Sequence, residues 1–514
     1  MVGVFQATFA HLDSSSGVAG ERFLGLLVAV FFVYAASIVV STIRQYYRLR
    51  HIPGPRIAGF SKWWLLQGET GGRMNLECYE ITEKYGSLAR IGPNDLLTSD
   101  PDLMRRMLNV RTNYQRSDWY YAMRFDPSKD NVLSMMDDAK HTKLRAKMAA
   151  GYSGKEVEGL EPKIDKNILA FMDLLDSRYV SLAKPFDFGR KAQFFTLDVI
   201  SDVAYGQAFG FMATDSDMFN YIEILERQMP KIISTTVYPW LVDVLSSPVF
   251  KSLLPSHKDA LGFGKVMGIA REKAAERFGP NKIVRNDMLG SFVAHGLTLE
   301  EAGSETLMQI LAGSDTTATA VRATTLHIMT SPRVVNRLHA ELDKAGVFGR
   351  PLDRIIGDAE ARSLPYVQAI VKEGLRIFPP VVGLMSKVVP KGGDTFKGVY
   401  LPEGTKVGYC AWGIMRRREV WGDDASEFRP ERWLEATPEK LKEMESTLEL
   451  VFSYGRWQCL GKNIALMELN KVFVELFRRY ELVLVDPTRP WKSRNVGIFN
   501  QSEFWIKGYK RQLE

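Results

Sequence analysis

Of the three cysteines in this chain, Cys78, Cys410 and Cys459, the last stands where sulfur chemistry is easiest. It closes the run Phe452-Ser453-Tyr454-Gly455-Arg456-Trp457-Gln458-Cys459-Leu460-Gly461, just ahead of a strong helical pattern from Ile464 to Phe477. A sulfur at a helix N-terminus is favoured as thiolate by the positive end of the helix dipole and by backbone N–H groups without helical partners. Gly455 and Gly461 let the backbone turn sharply and approach a flat ligand closely. Two other readings compete on these residues alone. A lone cysteine is most often a small buried apolar residue. Gly455 to Lys462 also approximates a phosphate loop, but five residues rather than four separate its glycines, and Asn463 stands where that loop holds magnesium through Ser or Thr.

A second polar cluster, Ala312-Gly313-Ser314-Asp315-Thr316-Thr317, lies inside a long helical pattern. Thr298-Leu299-Glu300-Glu301 has the form of a capping box, and the apolar repeat runs on to Ile328, before Ser331-Pro332. At 1.5 Å per residue this helix is roughly 45 Å long, enough to cross a whole domain. Glycine and β-branched threonine are poor helix formers and can open the ladder locally. Hydroxyls inside helices also simply bond back to a carbonyl one turn earlier.

The elements that must carry these residues divide unequally. From Phe23 to Ile43 the chain has no charge, and roughly 20 apolar residues span a bilayer as a helix. The run exceeds the core of a cleaved signal peptide. Arg44, Arg48 and Arg50 follow it while only Arg22 precedes it, so the positive-inside rule places the C-terminal side in the cytoplasm. Residues 1–22 are then lumenal, 23–43 the transmembrane anchor, and 44–55 a basic, proline-rich hinge that includes Ile52-Pro53-Gly54-Pro55. Residues 56–514 show no repeat, low-complexity tract or Gly/Ser linker and are expected to form one catalytic domain. Helical periodicity dominates from about 155 to 380, and short β-branched pieces punctuated by glycine follow Val388. The expectation is a mainly α protein with a small β-rich part. Hydrophobic residues at 46% and charged residues at 25% exclude a disordered chain. Three cysteines exclude a disulfide scaffold and fit a reducing compartment. A net charge of +7 suits anionic lipid, an acidic protein or nucleic acid alike.

The cysteine loop resembles the haem-binding signature Phe-x-x-Gly-x-x-x-Cys-x-Gly of the cytochrome P-450 family at all four fixed positions, Phe452, Gly455, Cys459 and Gly461. Glu373-Gly374-Leu375-Arg376 resembles the family's Glu-x-x-Arg, and Phe428-Arg429-Pro430-Glu431-Arg432-Trp433 its Pro-Glu-Arg-Phe stretch with Trp for Phe. Ala312 to Thr317 is similar to its Ala-Gly-x-Asp-Thr-Thr centre, and Ile52 to Pro55 to its proline-rich hinge. The motifs keep the family's order, and the loop and Trp433 stretch are similar to filamentous-fungal members related to pisatin demethylase.

The resemblance implies the cytochrome P-450 fold, a large helical domain plus a small β-rich part, behind one N-terminal transmembrane helix. It implies haem with Cys459 as the axial thiolate, and a structural network of Glu373, Arg376 and Arg432. Asp315 and Thr316 correspond to an acid–alcohol pair that delivers protons during oxygen activation, with Ala312 and Gly313 leaving room for oxygen. Haem propionates are assigned His141, Arg145 and Lys387, with Arg456 adjacent to the usual position. The signature departs from the family at Trp457, where an arginine normally contacts a propionate. Substrate contacts are expected from the Asp118 to Met136 loop, Leu311, Val381 to Leu384, and Ile498-Phe499, all of a kind that suits a hydrophobic small molecule. The implied enzyme is a monooxygenase of the endoplasmic reticulum membrane acting in fungal secondary metabolism or detoxification. Its implied partners are O2, membrane lipid and NADPH–cytochrome P-450 reductase, with cytochrome b5 as a second donor, and no nucleic acid. A haem-thiolate isomerase or dehydratase, or a haem-binding sensor, are the alternatives.

Overall fold

The computed structural model describes the backbone of residues 3–126 and 129–512, and within these ranges the side chains from residue 25 onward, Leu27 excepted. Met1 and Val2 of the expected lumenal segment lie outside it. Among the described residues, helices dominate and four small sheets accompany them. The chain is mainly α with a minor β part.

The anchor helix runs over Gly3–Leu49, and Val28–Leu49 within it is long and apolar enough to cross a membrane. Phe31, Phe32 and Val33 stand fully outside the protein body. The segment read as a hinge is divided in two. Residues 44–49 continue the helix, and the buried Arg90 guanidinium donates to the carbonyls of Gln45 (3.2 Å) and Tyr46 (3.3 Å) at its end, where unpaired carbonyls gather. Tyr46 stacks on Phe60, and Leu49 is buried with Ile52 in a satellite core. Past the helix, Arg90 N donates to Pro53 O at 2.8 Å. The two prolines end the helix, and the junction they make is packed.

The central helix, Leu299–Met329, is 31 residues long. Its capping box is complete: Glu301 N donates to Thr298 Oγ1 (3.2 Å) and Thr298 N to Glu301 Oε2 (2.9 Å). It packs along the helices Phe188–Tyr205 and Gly262–Ala275. Of the two readings of the Ala312 to Thr317 cluster, a local opening of the ladder or hydroxyls that bond back, the second holds. Ser314 Oγ donates to Ile310 O (2.7 Å) and Thr316 Oγ1 to Ala312 O (2.8 Å), so the hydroxyls bond back and the helix stays whole. A Cβ at Gly313 would lie 2.8 Å from Ile200, so glycine here admits the neighbouring helix.

The largest sheet runs Leu88–Arg90, Asp95–Thr98, Lys406–Tyr409, Lys387–Val388, Gln115–Arg116. Its register sets Arg116 directly across from Lys387. Two like charges facing each other across a ladder repel. The last helix, Lys462–Arg479, begins just after the cysteine loop and packs on the central helix.

The structure brings Glu373, Arg376 and Arg432 together with no solvent contact to speak of. Glu373 Oε1 accepts from Arg376 (2.7 Å), Arg432 (3.0 Å) and the backbone of Arg429 (2.8 Å). Oε2 accepts from Arg376 and from Trp433 Nε1, both at 2.9 Å. Burial pushes this carboxyl up, but the two guanidinium groups more than offset it and leave it below the ordinary range. Arg376 also donates to Met415 O (2.8 Å) and Ala425 O (2.6 Å), tying helix Pro365–Ile377 to the irregular chain that leads toward the cysteine loop. Removing one partner of such a cluster strands buried charge. Glu373→Ala is expected to cost roughly 3–5 kcal/mol, read by denaturant unfolding. A loss under about 1 kcal/mol, as for an exposed pair, would show the network to be dispensable.

Candidate active site

The loop before Cys459 is wound tightly by its own backbone. Cys459 N donates to Phe452 O at 2.8 Å, and Gln458 N to Gly455 O at 3.2 Å. Gly455 has φ +62°, and a Cβ there would lie 2.4 Å from Leu108 O, so no other residue fits without displacing backbone. Phe452 is partly buried on the core, and Gly461 is the N-cap of helix Lys462–Arg479, which sets the sulfur at the positive end of that helix. Burial pushes the thiol up; the N–H groups of Gly461 and Lys462 and the Arg145 guanidinium act in the opposite sense. Cys459 is thus enclosed by protein and yet open to a molecule the size of water, between buried Trp457 and Ile464. Ala312 is open in the same way, beside buried Leu311 and Ser314. Tyr152 lies within electrostatic reach of both Cys459 and Glu305 of the central helix. These openings therefore belong to the interior, between the cysteine loop, helix Asp138–Tyr152 and the central helix. Among the described residues no group of three His, Cys, Asp or Glu is placed to hold a metal ion.

A cationic nest flanks the loop, gathered around the indole of Trp457. Lys387 Nζ lies 3.6 Å from its ring centre, the Arg116 guanidinium 4.2 Å, and the His141 ring 4.4 Å. Lys387 is fully buried, and burial and then the adjacent Arg116 drive its ammonium well below its ordinary value. Burial and four neighbouring cations push His141 down to about 3, so its ring is neutral. Lys387 Nζ, Arg116 Nε, His141 Nδ1 and Trp457 Nε1 have no hydrogen-bond partner. Arg456 is engaged elsewhere, on Asp138 (3.1 Å) and the carbonyl of Val110. Arg145 faces Cys459 and Tyr152. Four unpartnered donors on buried groups call for a bound anion. The nest fits the carboxylates of a flat ligand seated over the sulfur, and a single thiolate fits a metal whose remaining ligands the protein does not supply.

Asp315 and Thr316 point apart. Among the described residues no hydrogen bond joins them: the Thr316 hydroxyl is on Ala312 O, while Asp315 Oδ1 accepts from Gln193 Nε2 of helix Phe188–Tyr205. Burial pushes the Asp315 carboxyl up to about 6 against the pull of Arg322.

Two of the segments expected to meet substrate are joined by backbone: Val382 N and Gly383 N both donate to Gly497 O, at 2.8 and 2.9 Å, and Val381 bridges Ile498. The 118–136 loop is clamped from both sides. Arg116 donates to Val132 O (2.9 Å) and Met135 O (2.8 Å), and Val132 N donates to Glu305 Oε1 (2.7 Å). Residues 127 and 128 of this loop lie outside the described residues. Arg116, Gln193 and Glu305 escape sequence reasoning. Arg116 sits on a two-residue strand with no periodicity, and Gln193 and Glu305 are polar residues on long helices whose partners come from other elements.

A family model described as Cytochrome P450 matches residues 53–503. The chain is 41% identical over 513 residues to cytochrome P450 monooxygenase ABA1 of Pyricularia oryzae, covering 98% of this chain and 100% of that protein. It is 37% identical over 466 residues to cytochrome P450 monooxygenase aba1 of Botryotinia fuckeliana, covering 89% and 91%. It is 31% identical over 494 residues to cytochrome P450 monooxygenase cicH of Emericella nidulans, covering 94% and 98%.

The clamp on the 118–136 loop carries a pH signature. Burial pushes the Glu305 carboxyl from 4.5 up to about 8. With the folded value above the unfolded one, its stabilising contribution is complete below about pH 4.5 and is lost as pH rises toward 8. Glu305→Gln keeps an acceptor for Val132 N and cannot ionise. Its stability, followed by denaturant unfolding, is expected to fall less steeply than wild type across that window; an unchanged slope would show that Glu305 is already ionised in the fold.

Proposed function

The chain belongs to the cytochrome P450 family of haem-thiolate oxidoreductases, and from that membership we propose that Cys459 is the sulfur ligand of its haem. The reaction we assign is insertion of one atom of O2 into a hydrophobic small molecule, by hydroxylation, epoxidation or oxidative demethylation. The observation that carries the assignment is Cys459 at a helix N-terminus beside a buried nest of donors, Lys387 Nζ, Arg116 Nε, His141 Nδ1 and Trp457 Nε1, that have no protein partner among the described residues.

In this reading Lys387, Arg116, His141 and Arg145 hold the haem carboxylates, and Trp457 supplies its N–H where the family usually supplies an arginine. Gly455 and Gly461 give the loop its close approach, and Phe452 backs it. When bound, the haem supplies oxygen activation, which thiolate ligation favours. The chain's own residues do the rest. Asp315 takes up protons from one side of the central helix, and the Thr316 hydroxyl, on the next residue, passes them toward the reacting oxygen through water. The apolar walls at Leu311, Val382 and Phe499 exclude bulk water from the substrate.

The family works with a redox partner, and we assign that role to NADPH–cytochrome P450 reductase, with cytochrome b5 as a second donor. We further assign residues 23–43 to the bilayer of the endoplasmic reticulum, residues 1–22 to the lumen and residues 56–514 to one cytoplasmic catalytic domain, on the strength of the apolar helix and the arginines after it. The relatives are fungal cytochrome P450 monooxygenases, and we assign this chain a role in making or detoxifying a small metabolite.

The reduced protein under carbon monoxide is expected to show the red-shifted Soret band of a thiolate complex, and Cys459→Ala to lose it. Product formation on any accepted substrate is expected to require O2, NADPH and reductase. Turnover without NADPH would instead identify an isomerase or dehydratase, and a wild-type band in the alanine variant would remove Cys459 from the iron.

A further inference from the structure

Behind Asp315, on the side of the central helix away from the Thr316 hydroxyl, lies a cavity partly open to solvent. Its polar wall is Gln193, Glu226, Asp315, Arg322, Arg494 and Gln501, and its other wall is apolar, with Ile222, Met229 and Phe499. Gln501 is 1% exposed, and neither its amide oxygen nor its amide nitrogen has a partner. Pro230, also in the wall, lies inside helix Tyr221–Val237 and has no N–H to give the carbonyl one turn earlier, that of Glu226. Unpaired donors and acceptors around such a space mark it as water-filled.

The groups that meet there are arranged in an unusual order. Arg322 is 2% exposed and donates from Nε to Gly189 O (2.8 Å) and from Nη2 to Gln193 Oε1 (2.6 Å). The same amide donates from Nε2 to Asp315 Oδ1. The amide orientation follows from its partners, since a guanidinium only donates and a carboxylate only accepts. Gln193 is therefore interposed between a buried cation and a buried acid that would otherwise pair. A carboxylate locked on a guanidinium is a poor proton carrier, because the pair favours its ionised form. The amide itself does not ionise at working pH. The other acid in the wall is Glu226, half-buried and paired with Arg190 at 2.9 Å. Burial outweighs Arg190 and leaves the Glu226 carboxyl above its ordinary range, so this pair, unlike a locked one, still takes up a proton. Asp315 is faced by Arg190 from helix Phe188–Tyr205, by Tyr221 and Glu226 from helix Tyr221–Val237, and by Arg322 on its own helix, with Arg494 from the strand Lys492–Asn495 in the cavity wall.

We propose that this cavity is the proton inlet of the enzyme: Glu226 loads protons from solvent, cavity water carries them to Asp315, and Gln193 is a positioning residue that keeps Asp315 out of a fixed pair with Arg322. In each transfer the Glu226 carboxyl releases H⁺ to a cavity water, a cavity water releases H⁺ to the Asp315 carboxylate, and bulk water reprotonates Glu226. No electron moves. The inlet rests on the reading of Asp315 as the acid that serves oxygen activation.

The test uses the full-length haem protein reconstituted with NADPH–cytochrome P450 reductase, with no organic substrate. NADPH electrons then leave on O2 either as hydrogen peroxide, which takes two protons, or as water, which takes four. Hydrogen peroxide formed per NADPH oxidised therefore rises when proton supply is slow. In wild type this ratio is expected to rise with pH around the Asp315 value of about 6. Glu226→Gln, which is isosteric, is expected to raise the ratio severalfold and enlarge its solvent isotope effect. Gln193→Glu places a second carboxylate beside Asp315 and is expected to move the midpoint up in pH. Gln193→Leu releases Arg322 toward Asp315 and is expected to move it down. A residue needed only for folding gives no such opposed shifts, and the carbon monoxide spectrum reports the haem content of each variant. Wild-type ratios and midpoints in all three variants overturn the inlet. If Asp315→Asn also behaves as wild type, the assignment of Asp315 itself fails; if Asp315→Asn alone raises the ratio, only the inlet does.

Discussion

Positive charge gathered in a buried interior is the constraint around which this structure is arranged. Lys387 and Arg116 face each other across one sheet and meet over the same indole, and neither has a carboxylate bonded to it. Burying a charge without a partner costs several kcal/mol. The π face of Trp457 offsets part of that, by about 2 kcal/mol for a desolvated cation. Neutralising His141 and depressing Lys387 relieve the rest of the repulsion at the expense of charge. In the proposed reading, a dianion bound there would restore full ionisation to the nest, and cofactor and protein would each make the other's charges tolerable.

The tryptophan that replaces the usual arginine is then less of a loss than it looks. An arginine at Trp457 would add one more cation to a crowded group. The indole instead accepts the charges already present on its faces and keeps a free N–H at its edge. The rest of the interior follows the same economy of charge. Glu373 stays ionised because five donors reach it, whereas Glu305, with one backbone donor, is held neutral by burial.

What could be read from the sequence was what local spacing encodes. The cysteine loop, the capping box at Thr298, the i and i+3 pair Glu373–Arg376 and the apolar anchor all lie within a few residues of their own partners. Within the nest, Arg116 could not be read, because its place beside Lys387 depends on the register of two-residue strands more than two hundred positions apart. Helical periodicity placed Asp315 and Thr316 side by side but not the direction of either side chain. That direction is set by Gln193, from a different helix, and by a carbonyl one turn back. The prolines after the anchor announced an end to the helix, and the packing of Leu49 and Tyr46 made that end a joint.

That joint has a mechanical meaning. Arg90 grips the last carbonyls of the anchor helix, and Arg48 reaches the carbonyl of Glu403 at 2.5 Å, so helix and body turn together. A helix in a thicker or thinner bilayer adjusts chiefly by tilting. With residues 23–43 in lipid, a flexible tether would absorb that tilt, but this one passes it on to the body. The thickness of the host membrane then sets which side of the enzyme leans toward the lipid, and hence the height at which its surfaces meet molecules dissolved there.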